Sequence, residues 1–199
     1  MISTVVAVFL FVIVAAFFKM GVTIYNALVS LRAQVERAWS NIDVILKQRF
    51  DELPQLIQVV EQYASYEAGV LKEIAEARTR YGSSNSVSEK IQASNEISMA
   101  LRGVFAIGEA YPELKANQQF MQLQSRISSL ESTIADRRET YNDAVTNFNT
   151  RIEQFPDVFA ARFLDYERQD LFEVADKEKV VPNLKMNLPK FGSENKKGA

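Results

Sequence analysis

Asp51, Glu67 and Glu131 are the side chains through which this sequence could run a reaction. Two carboxylates held in different surroundings can divide the roles of general acid and general base between them. Glu73-x-x-Glu76 is the nearest approach to a metal-binding pair, its carboxylates one turn apart on a helix. On a charged helix such a pair is ordinarily a solvated face. Histidine and cysteine chemistry is missing, because the 199 residues include neither residue. That excludes disulfides, thiol nucleophiles, Ser-His-Asp triads, zinc sites of the usual ligands and the Glu-x-x-His di-iron pattern. The seven glycines are scattered and build no phosphate-cradling loop. A formal net charge of −2 carries no basic footprint for nucleic acid. With no pocket signature around the carboxylates, the chain reads as a non-enzyme that takes no cofactor, metal or nucleic acid.

Any such residues must be positioned by helices, and the first of these belongs to a membrane. Met1 to Phe18 contain no charge, proline or glycine. A hydrocarbon core about 30 Å thick needs roughly 20 helical residues. Apolar character resumes after Lys19, so Ile2 to Ile24 is long enough to span, with Lys19 snorkelling to the headgroups and Tyr25 at the interface. A cleaved signal would need a positive region ahead of the apolar core and a small-residue cleavage site, and a lipoprotein anchor would need a cysteine. An uncleaved anchor is the expectation. Lys19, Arg32 and Arg37 all follow the span, which by the positive-inside rule puts the N-terminus out and the C-terminal bulk in the cytoplasm.

Residues 1–24 are thus an expected anchor, 25–180 a helical bundle and 181–199 a flexible tail interrupted by Pro182 and Pro189. Leu31, Val35, Ala38, Ile42 and Ile45 step by threes and fours, broadened by Trp39 and Leu46, as in a core-facing helix. The stripe continues through Leu53, Ile57, Val60, Ala64, Leu71, Ile74 and Ala77 to about Tyr81, with a bend near residues 51–54. Pro54 either kinks the helix or follows a restart capped by Asp51. Residues 82–86 form a loop, and Ser86-Val87-Ser88-Glu89 is a capping box opening a helix with Ile91, Ile97, Leu101, Phe105 and Tyr111. Pro112 closes that helix and starts the next. Phe120, Leu123, Ile127, Leu130, Ile134, Arg137, Tyr141, Ala144, Phe148 and Phe155 then keep coiled-coil spacing over about five heptads, with Arg137 at the edge of the seam. Pro156 ends the run, and a shorter amphipathic stretch carries Val158, Phe159, Phe163, Leu171 and Phe172. The fold class is all-α: a single transmembrane helix, then an elongated antiparallel bundle of three to four long helices.

The polar residues within these helices carry a resemblance. Tyr25-Asn26-Ala27-Leu28-Val29, Ala38-Trp39-Ser40-Asn41-Ile42-Asp43-Val44 and Leu46-Lys47-Gln48-Arg49 come first. Tyr63-Ala64-x-x-Glu67, Glu109-Ala110-Tyr111-Pro112-Glu113-Leu114 and Phe120-x-x-Leu123-Gln124 follow. Glu131-x-x-Ile134-Ala135-x-x-Arg138-x-x-Tyr141-Asn142, Ile152-x-x-Phe155-Pro156 and Phe172-Glu173 complete the set. In this order and spacing, behind an N-terminal anchor, the chain resembles the LemA family of bacterial membrane proteins from Tyr25 to Pro182. The run Gln48-Arg49-Phe50-Asp51-Glu52-Leu53-Pro54 departs from the family's usual wording, and Tyr66 stands where a histidine is common. The resemblance implies a membrane-anchored helical bundle in the bacterial inner membrane and no established enzymatic activity.

Glu131 and Arg138 are seven residues apart on one helix face. They either tie to other helices, with Arg49, Asp51 or Glu67 as candidate partners, or form a solvated pair worth under about 1 kcal/mol. Tyr25-Asn26 and Tyr141-Asn142 repeat one dipeptide, and both are expected to combine packing with a side-chain hydrogen bond, with Trp39 on the core. The expected function is a scaffold or protein-interaction module, binding protein partners or further copies of itself beside the lipid bilayer. A membrane-shaping coat built by lateral assembly and a carboxylate-dependent enzyme are the alternatives.

Overall fold

The computed structural model describes residues 1–64 and 68–173, so Glu67 and the tail from Val181 lie outside the described residues. Among the described residues all regular structure is helical. The order is α1 (Ile2–Glu61), α2 (Ala68–Ser83), α3 (Val87–Ala110), α4 (Pro112–Lys115), α5 (Gln118–Glu153) and α6 (Asp157–Phe163). Beyond α6, residues 166–173 run as an extended strap.

One helix serves two environments. At 1.5 Å per residue the 60 residues of α1 measure about 90 Å. Its first part is long and apolar enough to cross a membrane, and among the described residues nothing covers it. Val12, Phe17 and Phe18 are all exposed, whereas Ile24 is the first buried residue and Leu28 is fully enclosed. The exposed apolar run therefore passes into the bundle core without a break in the helix.

Pro54 does not end α1. The helix contains it and runs on to Glu61, so neither a restart at Asp51 nor a continuation to Tyr81 occurs. Pro54 lies on the exposed face, while Phe50, Leu53, Leu56 and Val60 are buried on the other. A proline in a helix interior costs about 3 kcal/mol, and each enclosed large apolar side chain contributes about 1.5–3. The packing on either side of Pro54 therefore exceeds the loss. The helix breaks after Glu61, and the next one starts at Ala68.

The bundle is built from two helix pairs, α1 against α5 and α2 against α3. Their apolar stripes supply the core, with Ile42, Leu46, Ile74, Ile97, Val104, Ile127, Ile134 and Val145 all fully enclosed. Ser86 and Glu89 close the expected capping box at the start of α3. Pro112 sits at the start of α4 as expected, but that helix has only four residues. Asn117 then caps α5 by accepting the Phe120 N–H at 3.0 Å. Arg137 is exposed at the edge of the α5 seam, as its charge requires. Phe155 departs from the seam, because α5 ends at Glu153 and leaves its ring 82% exposed.

Candidate functional site

Arg49 is the largest fully buried side chain, at 0% exposure, and it organises the middle of the bundle. It lies on the α1 stripe between Leu46 and Leu53, so the packing of α1 on α5 carries its guanidinium inward. Nη1 donates to the Glu131 carboxylate of α5 and to Ser98 Oγ of α3 at 2.9 Å. Nη2 donates to Ser94 Oγ at 2.9 Å and to the Ser94 carbonyl at 3.2 Å. The second oxygen of Glu131 accepts from Ser98 Oγ at 3.0 Å. One planar cation thus joins three helices through fixed, charge-assisted bonds. Burial pulls the Arg49 guanidinium below the usual arginine value, and the Glu131 carboxylate opposes that pull.

Glu131 is therefore tied to Arg49, one of its expected partners, whereas Arg138 is tied differently. Its guanidinium lies over the Phe172 ring, 4.3 Å from the centroid, and its Nε has no hydrogen-bond partner among the described residues. Burial lowers its affinity for the proton, Glu131 raises it and Arg49 lowers it again. Asp51 is exposed and does not join Glu131, and Glu67 falls outside the described residues.

Beside this tie the strap is strung along α5. Asn142 donates to the Phe172 carbonyl at 3.2 Å and accepts the Phe172 N–H at 2.7 Å. Asn149 does the same with Gln169, both bonds at 2.9 Å. Seven helical residues rise about 10.5 Å and three extended residues span about 10 Å, so two amides on one helix face match alternate points of an antiparallel strap. The Tyr141 hydroxyl donates to the Asp170 carbonyl at 3.0 Å, and Asn95 to the Glu173 carbonyl at 2.8 Å. Burial and the nearby Asp170 push the Tyr141 phenol up to about 12. Trp39, on the core edge as expected, meets the Tyr141 ring edge-on at 5.7 Å and the Phe172 ring at 6.5 Å.

Asp43 accepts from the Tyr81 hydroxyl at 2.7 Å and from Lys90 Nζ at 2.9 Å, linking α1 to α2 and α3. Burial alone would raise its carboxyl, but those two donors outweigh it and hold it below the usual value. Tyr25 and Asn26, unlike Tyr141 and Asn142, do not take up the expected packing: both are exposed where α1 enters the bundle, ahead of the level at which the strap and α5 cover it. Tyr111 and Pro112 form the α3–α4 corner, and Pro156 stands at the start of α6. Glu73 and Glu76 are both exposed, and Glu76 pairs with Lys72 at 3.6 Å.

Ser94, Ser98 and Asn149 are the participants that sequence reasoning missed. The signal was present: Ile91, Ser94, Ser98 and Leu101 step by three, four and three, so the two hydroxyls occupy core positions of α3. Likewise Asn149 follows Asn142 by seven residues on a seam otherwise closed by apolar side chains.

This constellation of Arg49 and Glu131 with Tyr141 and Asn142 falls inside a single match. The sequence profile of the LemA family fits residues 38–186. The chain belongs to the LemA family. Among LemA relatives, a protein LemA from Metamycoplasma hominis is 26% identical over 157 residues, covering 78% of this chain and 71% of the relative. Magnetosome protein MamQ 2 from Paramagnetospirillum magneticum is 22% identical over 204 residues, covering 88% of this chain and 75% of the relative. Magnetosome protein MamQ from Magnetospirillum gryphiswaldense is 20% identical over 174 residues, covering 74% and 64%. The LemA profile thus takes in both the Arg49 tie and the strap contacts of α5.

Proposed function

We propose that this LemA protein is a non-catalytic, single-pass scaffold of the bacterial inner membrane whose bundle engages protein partners or further copies of itself. The observation that carries the reading is the continuity of α1, which joins an uncovered apolar run to the enclosed core in one 60-residue helix. Such a helix holds the bundle at a fixed stand-off. From Ile24 to Glu61 the rise is about 55 Å. The buried polar groups support a structural role, since Arg49, Glu131, Tyr141 and Asn142 spend their hydrogen bonds on other helices or on the strap. Lys19, Arg32 and Arg37 flank the apolar run on its C-terminal side, which favours a cytoplasmic bundle.

Photo-crosslinking in intact cells from Val44 and Met121, two apolar side chains exposed on the bundle, tests the scaffold. Adducts at one of these positions with a second copy or with one recurrent protein are expected. An adduct pattern no different from that of exposed charged positions would remove the interaction reading. Protease applied outside spheroplasts should leave the bundle intact, and its digestion without lysis would reverse the orientation.

A further inference from the structure

α6 is the point at which the chain turns back. The contacts Arg49–Glu131 and Trp39–Tyr141 set α1 and α5 antiparallel, and the strap returns past Asn149 and then Asn142. The segment between the end of α5 and Tyr166 must therefore sit at the end of the bundle where α1 leaves it. Two observations agree. Arg32 of α1 lies over the Tyr166 ring, 5.0 Å from its centroid, and α6 itself packs on α1.

At that end three phenylalanines are uncovered. Phe155, Phe159 and Phe163 are 82%, 63% and 89% exposed and recur every fourth residue. The opposite face is anchored, with Asp157 and Ala161 buried and Asp157 ion-paired to Arg151 of α5. The aromatic face thus points away from the bundle. Tyr25 and Val29 of α1, also exposed, lie two turns and one turn before Arg32, on the side of the apolar run. Three uncovered aromatic rings in so short a stretch are costly in water, whereas aromatic side chains are favoured at the membrane–water boundary. Arg162, exposed beside Phe163, supplies a cation for lipid phosphates.

We infer that Phe155, Phe159 and Phe163 form a second membrane contact, an aromatic foot that seats the proximal end of the bundle in the interface of the bilayer crossed by α1. The occupant of this face is lipid, because the face stands at the end of the bundle that the apolar run enters, near Ile24. The foot fixes the tilt and rotation of the bundle about α1, which a single span leaves free. It rests on the reading of Ile2 to Ile24 as a membrane span.

The chain has no cysteine, so single substitutions accept a nitroxide label cleanly. Full-length protein carrying Phe163→Cys, Phe159→Cys, Val12→Cys or Val44→Cys is labelled in vesicles of phosphatidylcholine and phosphatidylglycerol. Collision with oxygen, enriched in lipid, is compared with collision with a water-soluble nickel chelate. Arg162→Cys adds a label that leaves all three phenylalanines in place. Labels at 159 and 163 are expected about 5–10 Å into the headgroup–acyl boundary. Their oxygen-to-nickel ratio should be several-fold above that at 44 and below that at 12, with 162 between 44 and 163. A ratio at 163 equal to that at 44, with 12 still deep, overturns the foot and leaves the span intact. A water-exposed label at 12 overturns the span and the foot together. Loss of access to both reagents at 163 overturns the foot in favour of a protein occupant.

Discussion

Replacing Glu131 by alanine isolates the value of the central tie. The substitution removes the one carboxylate bonded to Arg49, whose side chain is 0% exposed against 29% for Glu131. Arg49 keeps its bonds to Ser94 and Ser98 but loses its counter-charge. Breaking one partner of a buried pair costs about 3–5 kcal/mol, against under about 1 for a solvated pair. Because Glu131 is partly exposed, water reaches the vacated position and the loss falls near the lower end, at about 3 kcal/mol. For a chain of this size each kcal/mol moves the melting midpoint by about 2–4 °C, so a fall of about 6–12 °C is expected.

The assay is a far-ultraviolet circular dichroism melt of the full chain in mild detergent. Arg49→Met and the double substitution complete a cycle that separates the pair from its surroundings. Removing both charges relieves the stranded cation, so the double variant should melt above Glu131→Ala. A shift under about 2 °C for Glu131→Ala, or a double variant no better than that single one, would refute the reasoning.

Four further outcomes test other parts of the structure. Asn142→Ala with Asn149→Ala removes four bonds to the strap and should raise amide hydrogen exchange at Gln169 and Phe172 while leaving α3 protected. Gly108→Ala would place a Cβ 2.7 Å from two ring atoms of the enclosed Phe120, so overpacking of about 1–3 kcal/mol exceeds the gain of about 1 in helix propensity. Gly82→Ala, with nothing within 4 Å, should leave the midpoint unchanged or raise it. The Tyr141 phenol stays protonated up to about 12 in the fold but ionises near 10 when unfolded, so stability holds below about pH 10 and declines as pH rises toward 12. Tyr141→Phe should flatten that decline in alkaline chemical-denaturation curves.

The legible parts of this fold were those with a period or a cap. The α5 seam, the Ser86 capping box and the corner at Pro112 each rest on neighbours a few residues apart, which a sequence displays directly. Pro54 misled because local propensity ranks it a breaker, while long-range burial of Phe50, Leu53 and Leu56 holds the helix together. The Arg49–Glu131 pair was open to inference from charge inside an apolar stripe, yet its completion was hidden. Serine on a core face has the same appearance as serine on a surface face until the guanidinium that needs it is placed. The strap was less legible still. Its backbone is held by asparagine amides across 20 and 30 residues, and extended segments without a partner strand leave no alternating pattern to read.

The distribution of polar and apolar groups along α1 gives the chain a direction. Beginning at the N-terminus there is an apolar run that no described residue covers, then exposed Tyr25 and Val29 ahead of the level at which Arg32 meets Tyr166. Next come Trp39 with the strap and Arg49 with its three-helix tie. The Arg49–Glu131 pair is thus held roughly 35–40 Å from the apolar run, where the field of headgroups around that run does not reach across a Debye length of about 8 Å. A tie in that position registers α1, α3 and α5 against one another without responding to the lipid. Its partners are all internal, so what remains for recognition is the outer surface, where Val44, about one turn short of the level of Arg49, and Met121 near the start of α5 stand exposed. The proposed scaffold rests on that separation of an uncovered apolar end, a locked middle and an open outer face.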